Sequence, residues 1–445
     1  MSTTSLPSYT APLLGRTPTY TAEPQAFEQR IALSVLRPRP SGEFTKQSKG
    51  GGISLRLFAQ EDGATLPTYG HGASIDGTIE VARPEGVNAV EVKIKGTLRM
   101  KEIAEGGTTT HELALTRLSL WNKERDGGRC PTSLPFSLSL PPTFNDGRDE
   151  YPLPPTFEAH LTGLPGFRAN VDYSVSATVD RGLVKKAAST FFPKQQTDSS
   201  VSTDFVYFPR SRPAVPLPPP MLFSQGNPGV VESSEWRCFE SRIPARTPGV
   251  TDITTKLYIP ASRVFCMSEP IPFHLSLVSS AYSLAAFMPY GPTASLLAPH
   301  KQHTQLQLLR QSIVDVRNTV VFGTKTDIWR VTCIGKGTFA RGSDGPDFIS
   351  FVGEIRISED LKIPGFKAGG LSIRDSILLT MVPPDVTKSP FDELRCVVPI
   401  RLTTDPWTND GSATFEPSEY SSPSSEEDSA SQRFADFRGQ SPPAP

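Results

Sequence analysis

The stretch FRANVDYSVSATVDR, residues Phe167–Arg181, decides how this chain folds. Apolar residues stand at every second position from Val171 to Val179, and polar residues fill the positions between them. Because successive side chains of a β-strand point to opposite faces, this alternation gives one apolar face and one hydrated face. Gly166 precedes the stretch and Gly182 follows it, as turn residues do. The stretch therefore predicts a half-buried antiparallel strand, and it contains no catalytic motif.

The composition of the chain favours β-structure over helix. Its 445 residues predict two or three domains, since a domain commonly has about 100–200 residues. The 44 prolines and 34 glycines are many for a helical protein, because proline removes a donor and breaks helices. The formal net charge of −1 gives no reason to expect nucleic acid or an anionic membrane as the main partner.

The cysteines and the N-terminus predict a cytoplasmic protein. Five cysteines is an odd number, and none has the C-x-x-C spacing of a metal or redox site. Scattered thiols favour a reducing compartment. The start, MSTTSLPSYTAPLLGRTPTY, lacks the basic and apolar regions of a signal peptide. No apolar run approaches the ~20 residues of a membrane helix, so we expect no transmembrane segment.

Changes in composition divide the chain into five segments. Residues 1–52 are rich in serine, threonine, proline and glycine, which predicts a flexible N-terminal tail with one edge strand at 31–36. Alternating stretches then recur over 53–208, where a change of parity between Leu115 and Leu118 predicts a bulge. Short strands with turn signals between them predict an antiparallel sandwich. The alternating stretches are 53–57, 75–81, 90–100, 113–120, 134–140, 167–181 and 188–192.

The second half repeats this organisation after a break. Residues 209–235 contain two proline runs and predict a semi-rigid extended linker. Residues 236–404 hold a second set of alternating stretches, of which 306–316 fits helix or strand and is assigned as strand because β-branched residues follow. Residues 405–445 are rich in serine and acidic residues, which predicts a disordered tail.

Two tandem β-sandwiches between disordered tails resemble the layout of the arrestin family. The Tyr69-Gly70 turn that leads to Ile75 and Gly77 is similar to an arrestin turn and strand, and the assignment of 306–316 as strand also follows this resemblance. A departure is Ser268-Glu269, where the hairpin of the second arrestin domain usually has a glycine. The segments that resemble arrestins lie between 53 and 404 and are 69–79, 163–181, 205–210, 257–277, 306–318, 371–379 and 398–402. The resemblance implies an all-β fold of two immunoglobulin-like, arrestin-like domains, 53–208 and 236–404.

Short motifs point to a peptide-binding partner. Leu6-Pro7-Ser8-Tyr9 fits the Leu/Pro-Pro-x-Tyr pattern read by WW domains, in which the proline packs in an aromatic groove and the tyrosine fills a second pocket. A weaker copy contains Pro18 and Tyr20. A third, residues 66–69, is better explained as a turn before the next strand. Chance occurrence in a proline-rich chain is the alternative for all three.

Signs of catalysis and of metal binding are missing from the sequence. The six histidines show no zinc spacing with cysteines, and no P-loop, dinucleotide fingerprint or Gly-x-Ser-x-Gly elbow occurs. We therefore predict no enzyme, no catalytic residue, no metal and no cofactor. Arg210 and Arg212 could meet phospholipid or an acidic partner, but a solvated connector is the favoured interpretation. The acidic serine tail is a phosphorylation candidate.

The resemblance and the motifs together imply a non-catalytic adaptor. Its domains would bind cytosolic tails of membrane transporters or receptors, and Leu6, Pro7 and Tyr9, then Pro18 and Tyr20, would recruit a WW-domain HECT ubiquitin ligase. We expect a cytoplasmic protein that associates peripherally and transiently with the plasma membrane or endosomes. The alternative is a scaffold or coat component like the arrestin-fold retromer subunit, without a ligase. A carbohydrate-binding sandwich is disfavoured by the free thiols and the missing secretion signal.

Overall fold

The structure, a computed structural model, describes residues 28–31, 40–103, 107–163, 166–181, 200–221, 233–292, 303–317, 325–383, 385 and 387–409. Within them the chain is almost entirely β-structure, as predicted. Two short helices interrupt the strands, α1 at Lys123–Asp126 and α2 at Ala281–Phe287. No helix in this described part of the chain is long and apolar enough to cross a membrane.

The first half of the chain forms two sheets that pack face to face around one apolar core. The smaller sheet has four strands, in the order β2, β3, β5 and β8. The larger sheet has the order β4, β13, β12, β6 and β7, and β11 pairs with β12 as an additional strand. All pairs are antiparallel except β4 with β13. The strands are β1 Glu28–Ile31, β2 Gly42–Gln47, β3 Ile53–Gln60, β4 Thr68–Tyr69, β5 Ser74–Val81, β6 Val87–Glu102, β7 Thr108–Asn122, β8 Ser133–Ser139, β9 Thr143–Asn145, β10 Glu150–Pro152, β11 Phe157–Leu161, β12 Phe167–Arg181, β13 Ser200–Tyr207 and β14 Arg210–Pro213.

The stretch Phe167–Arg181 is β12, a central strand of the larger sheet. It pairs with β6 along its whole length and with β11 and β13 on its other side. The alternating apolar residues are buried, as predicted, and the Tyr173 hydroxyl donates to the Pro154 carbonyl at 2.6 Å. The Tyr173 ring covers Gly96 on β6, where an added Cβ would lie 2.6 Å from the Tyr173 Cε1 atom. The strand therefore holds the neighbouring strands in place through close side-chain packing as well as through backbone hydrogen bonds.

Strand β7 carries two bulges rather than one. The register against β6 shifts at Leu113 and again at Leu120, on either side of the predicted position between Leu115 and Leu118. A bulge leaves one extra residue on one strand and locally changes which face a side chain occupies. The consequence is that Leu113 and Ala114 are both buried although they are neighbours in sequence.

The second half forms one large curled sheet around a second core. Its order is β15, β16, β18, β21, β20, β19, β23, β24 and β17, with β22 beside β23, and only β17 with β24 is a parallel pair. The segment 306–316 lies in strand β19, as predicted. The strands are β15 Trp236–Ile243, β16 Ile253–Pro260, β17 Val264–Cys266, β18 Ile271–Val278, β19 Thr304–Arg317, β20 Lys325–Asp344, β21 Phe348–Ile357, β22 Phe366–Ala368, β23 Leu371–Met381 and β24 Leu394–Thr403.

Strand β20 is the reason that this half has one sheet. Its first part pairs with β19 and its last part with β21, so one strand of 20 residues belongs to both faces. A register shift places an extra residue, Ile334, between the partners of Leu308 and Leu309. Ile334 is buried beside the exposed Cys333. The two faces are therefore continuous through β20, and this curled sheet is consistent with the predicted all-β sandwich fold.

The predicted tail and linker contain ordered strands. β1 and β2 lie inside 1–52, and β14 lies inside 209–235. Residues 405–409, at the start of the predicted disordered tail 405–445, also belong to the described structure. These polar, extended segments are ordered because each finds a neighbouring strand to pair with, β2 with β3 and β1 with β14. The remaining residues of both predicted tails lie outside the described ranges.

The two halves pack against each other through an apolar contact. Phe157 of β11 meets Phe366 of β22 edge-on, with ring centroids 5.1 Å apart, and the Lys367 ammonium lies 5.4 Å from the Tyr151 ring. Arg330 donates to the carbonyl of His160 at 3.1 Å. Six residues of the second half belong to the first core, namely Val314, Ile328, Phe366, Ala368, Leu371 and Ile373. The division into two separate domains, 53–208 and 236–404, stays a prediction.

Candidate functional site

The residues predicted to bind a WW domain lie outside the described structure. They are Leu6, Pro7, Tyr9, Pro18 and Tyr20. The third copy of the motif is described, and its Tyr69 is only 3% exposed. The Tyr69 ring packs edge-on against Phe205, with centroids 5.3 Å apart. A WW domain cannot reach this tyrosine in the folded protein, which agrees with its interpretation as part of a turn.

A buried group of charged residues lies where the first strand, the connector and the last strand meet. We call Glu28, Arg210, Arg212, Arg401 and Asp405 the junction cluster. β1 pairs antiparallel with β14, so that Glu28 lies opposite Pro213. On the other edge of β14, the Asp405 N–H donates to the Ser211 carbonyl at 2.9 Å. β14 thus has protein on both edges, which explains why its residues are buried.

The side chains of the junction cluster are joined by ion pairs and hydrogen bonds. The Arg210 guanidinium forms a bidentate ion pair with the Asp405 carboxylate, in which the Nε–Oδ2 distance is 2.9 Å. The Arg212 guanidinium donates to the Thr408 hydroxyl. Arg401 and Glu28 form a third contact, with Nη2 and Oε2 2.6 Å apart. A planar guanidinium suits such two-pronged pairing, which lysine cannot reproduce.

Because its side chains are largely buried, this cluster stabilises the folded protein where the first strand, the connector and the last strand meet. The Arg210 side chain is 8% exposed and the Asp405 side chain 17%, so solvent screens their attraction weakly. Removing one partner of such a pair leaves an uncompensated buried charge. The prediction that Arg210 and Arg212 are a solvated connector is therefore wrong. The partners of Arg210 are about 195 positions away along the chain, and no local pattern could reveal them.

The junction cluster also brings both ends of the described chain together. Glu28 is the first described residue, and Arg401, its ion-pair partner, lies in the last strand. Asp405 contacts the connector only a few residues before the described chain ends at 409. The segments 1–27 and 410–445 therefore attach to the folded body at one place, beside β14.

A second buried ion pair supports the contact between the halves. Arg310 and Asp375 lie opposite each other on β19 and β23, with two N–O distances of 2.8 Å, and Asp375 is 1% exposed. Arg310 also donates to the Ile363 carbonyl at 2.7 Å. It lines a shallow cleft of about 380 Å³ together with Glu158 and Asp172 of the first half.

The acidic rim of this cleft is partly desolvated. Burial raises the pKa of Asp172 above its usual value, and the nearby carboxylates Asp204 and Glu158 raise it further, while Arg99 opposes them. The cleft is lined by acidic and basic side chains together, with Asp360 and Lys362 beside Glu158, Asp172 and Arg310. Across the described residues, no group of histidine, cysteine and carboxylate side chains is arranged to hold a metal ion. All five cysteines lie in the described ranges, and none of them forms a disulfide.

No protein-family model matches the sequence, and no curated protein matches it significantly. The arrestin-like resemblance, which depends on turn residues and alternation, therefore stays a prediction.

Proposed function

We propose that the protein is a non-catalytic adaptor that links a membrane transporter or receptor to a WW-domain HECT ubiquitin ligase. The β-structured body binds the cytosolic tail of the membrane protein, and the segment 1–27 recruits the ligase. Ubiquitination of the membrane protein then leads to endocytosis and sorting. The arrestin-like resemblance supplies this assignment, and the attachment of segment 1–27 supports it.

The observation that carries the proposal is the fixed position of Glu28. The residue is held by strand pairing with β14 and by Arg401. Tyr9 precedes Glu28 by 19 residues, so covalent geometry alone keeps the motif within ~65 Å of the junction cluster. A ligase bound at Tyr9 stays in that volume, which raises its effective concentration at any membrane protein held by the body.

The test is binding of the full chain to WW domains of HECT ligases. We expect micromolar binding that is lost in the double variant Tyr9→Ala/Tyr20→Ala, with the single changes ranking the two motifs. Tyr207→Phe is a matched control, since this buried tyrosine lies outside the motifs. Burial raises the pKa of Tyr207 to about 12, so its hydroxyl is neutral at the pH of the assay and its removal changes no charge.

Equal binding of WW domains by the unchanged chain and the double variant would contradict ligase recruitment through these tyrosines. Complete absence of binding would favour the second candidate, a scaffold or coat component that needs no ligase. The close apolar packing of the two halves is the observation that favours a scaffold, since it gives one extended surface rather than two independent domains.

A further inference from the structure

The connector between β14 and β15 contains an unusual run of residues, Val215-Pro216-Leu217-Pro218-Pro219-Pro220, which we call the proline segment. Every residue in it is a proline or precedes a proline. Proline fixes its own φ near −65°, and the residue before a proline is restricted to extended conformations. The proline segment is therefore restricted to the polyproline II conformation, which has no internal hydrogen bonds.

Both ends of the proline segment are anchored to the folded body. Before it, β14 is buried and paired with β1. Near its end, the Trp236 indole N–H donates to the Pro219 carbonyl at 3.2 Å. Met221 follows, is buried in a small apolar cluster with Trp236, and donates its N–H to the Nε2 atom of His274 at 3.4 Å. The segment is thus held in place from both sides.

Between these anchors the segment presents apolar groups to solvent. Val215 is 38% exposed and Leu217 36%, and Pro216, Pro219 and Pro220 are exposed as well. Only six large apolar side chains in the described residues have this exposure, and two of them are here. With three residues per turn, Pro216 and Pro219 lie on one face. This arrangement is what an aromatic-lined groove recognises.

The residues around the proline segment indicate which class of proline-binding domain, SH3 or WW, fits it. Arg210, Pro213 and Pro216 have the spacing that an SH3 domain reads, in which a basic side chain enters an acidic pocket. Arg210 is buried against Asp405, however, and Pro213 is buried in β14. The accessible part, Pro216 to Pro220, carries no charge. A WW groove, which needs two ring contacts and no basic residue, fits it better.

We propose that the proline segment is a docking site for a WW domain of the class that reads proline–leucine–proline sequences without a tyrosine. The site is separate from the tail motif and does not depend on it. Because the segment is already extended and anchored, binding does not require it to be ordered first. Pro216 and Pro219 make the ring contacts, and Leu217 packs at the edge of the groove.

The test uses the full chain with Tyr9→Ala and Tyr20→Ala, so that the tail motifs cannot contribute. Calorimetric titration with a purified WW domain that binds Pro-Pro-Leu-Pro peptides is expected to show binding. Adding Pro216→Ala and Pro219→Ala should weaken it at least about tenfold. The matched control removes two other prolines, Pro442→Ala and Pro443→Ala, and should leave the affinity unchanged.

A second variant distinguishes a loss of WW binding from a loss of folding. Leu217→Asp changes an exposed side chain without touching the anchors, so thermal unfolding should stay the same while WW binding is lost. Three outcomes would overturn the proposal: no binding of the WW domain, equal binding by the two proline variants, or binding of an SH3 domain in its place. Since both tail tyrosines are already replaced, each outcome leaves the test of ligase recruitment untouched.

Discussion

Glu28 and Arg401 form an ion pair with 2.6 Å between the carboxylate and guanidinium atoms, and they join the first described strand to the last. The side chains are only 10% and 27% exposed. Both residues belong to the junction cluster, which is therefore built from residues of the beginning, the middle and the end of the described chain.

Arg210→Ala is expected to destabilise the protein by about 3–5 kcal/mol, because it leaves the carboxylate of Asp405 buried without its partner. Urea unfolding measures the change, and the double variant Arg210→Ala/Asp405→Asn should recover part of it. Arg129→Ala breaks the exposed pair with Glu85 and should cost less than ~1 kcal/mol. Equal losses of unfolding free energy at the two sites would contradict the assignment of Arg210 to a buried, stabilising ion pair.

Tyr69→Ala is expected to cost about 3–5 kcal/mol, since the ring is buried against Phe205. Tyr69→Phe keeps the ring and should be neutral or stabilising, because the buried hydroxyl has no hydrogen-bond partner among the described residues. Tyr9→Ala should leave stability unchanged while it weakens WW binding. A loss of WW binding in a folded Tyr69→Phe protein would show that the third motif is functional after all.

Stability is expected to fall as the pH drops below ~6.5. Burial lowers the pKa of His274, whose Nε2 accepts a hydrogen bond from Met221 while neutral. Between the folded pKa and the ordinary value the unfolded chain binds more protons, so the free energy of unfolding decreases as the pH falls. His274→Gln should flatten this slope in urea unfolding from pH 7.5 to 5.

His71 contributes a second slope of the same sign, because burial, followed by the charge of Arg30, lowers its pKa. His71→Gln is therefore the matched variant, and the two changes together should flatten the slope more than either alone. An unchanged slope in the double variant would contradict the assignment.

Gly353→Ala is expected to destabilise the second half by about 1–3 kcal/mol. A methyl group there would overlap the Thr338 carbonyl oxygen and approach the Phe273 ring to 2.5 Å, on a strand with partners on both sides. Gly52→Ala is the control, since its Cβ would meet no atom within 4 Å and its φ is not positive. Thermal unfolding distinguishes the two, and equal melting temperatures would disprove the close packing.

Much of the strand structure could be predicted because a half-buried strand must alternate. The residues from Val171 to Val179 show this alternation, and so do the apolar residues of β16, β18 and β21. What alternation cannot show is a change of face within a strand. Trp329, Val331 and Cys333 alternate as a strand does, yet the buried residues are Ile328, which joins the first core, and Ile334, which is the extra residue of a bulge.

The junction cluster could not be predicted for a different reason. A strand as short as Glu28–Ile31 has no period to detect, and it is stable only because β14 lies beside it. Arg210 and Arg212 appear exposed in a proline-rich segment until Asp405 and Thr408 are placed next to them. Long-range ion pairs depend on the completed fold, and neither partner carries a local signal.

The shared apolar core has a consequence for synthesis of the chain. The first sandwich is complete in sequence at Pro213, but the residues of the second half that cover it end at Ile373. At about 5–20 residues per second, the ribosome needs ~8–32 s to supply them. During that interval an uncovered apolar face emerges with a growing polypeptide attached to it. The apolar face of the first half therefore stays exposed to solvent until the second half of the chain has been made.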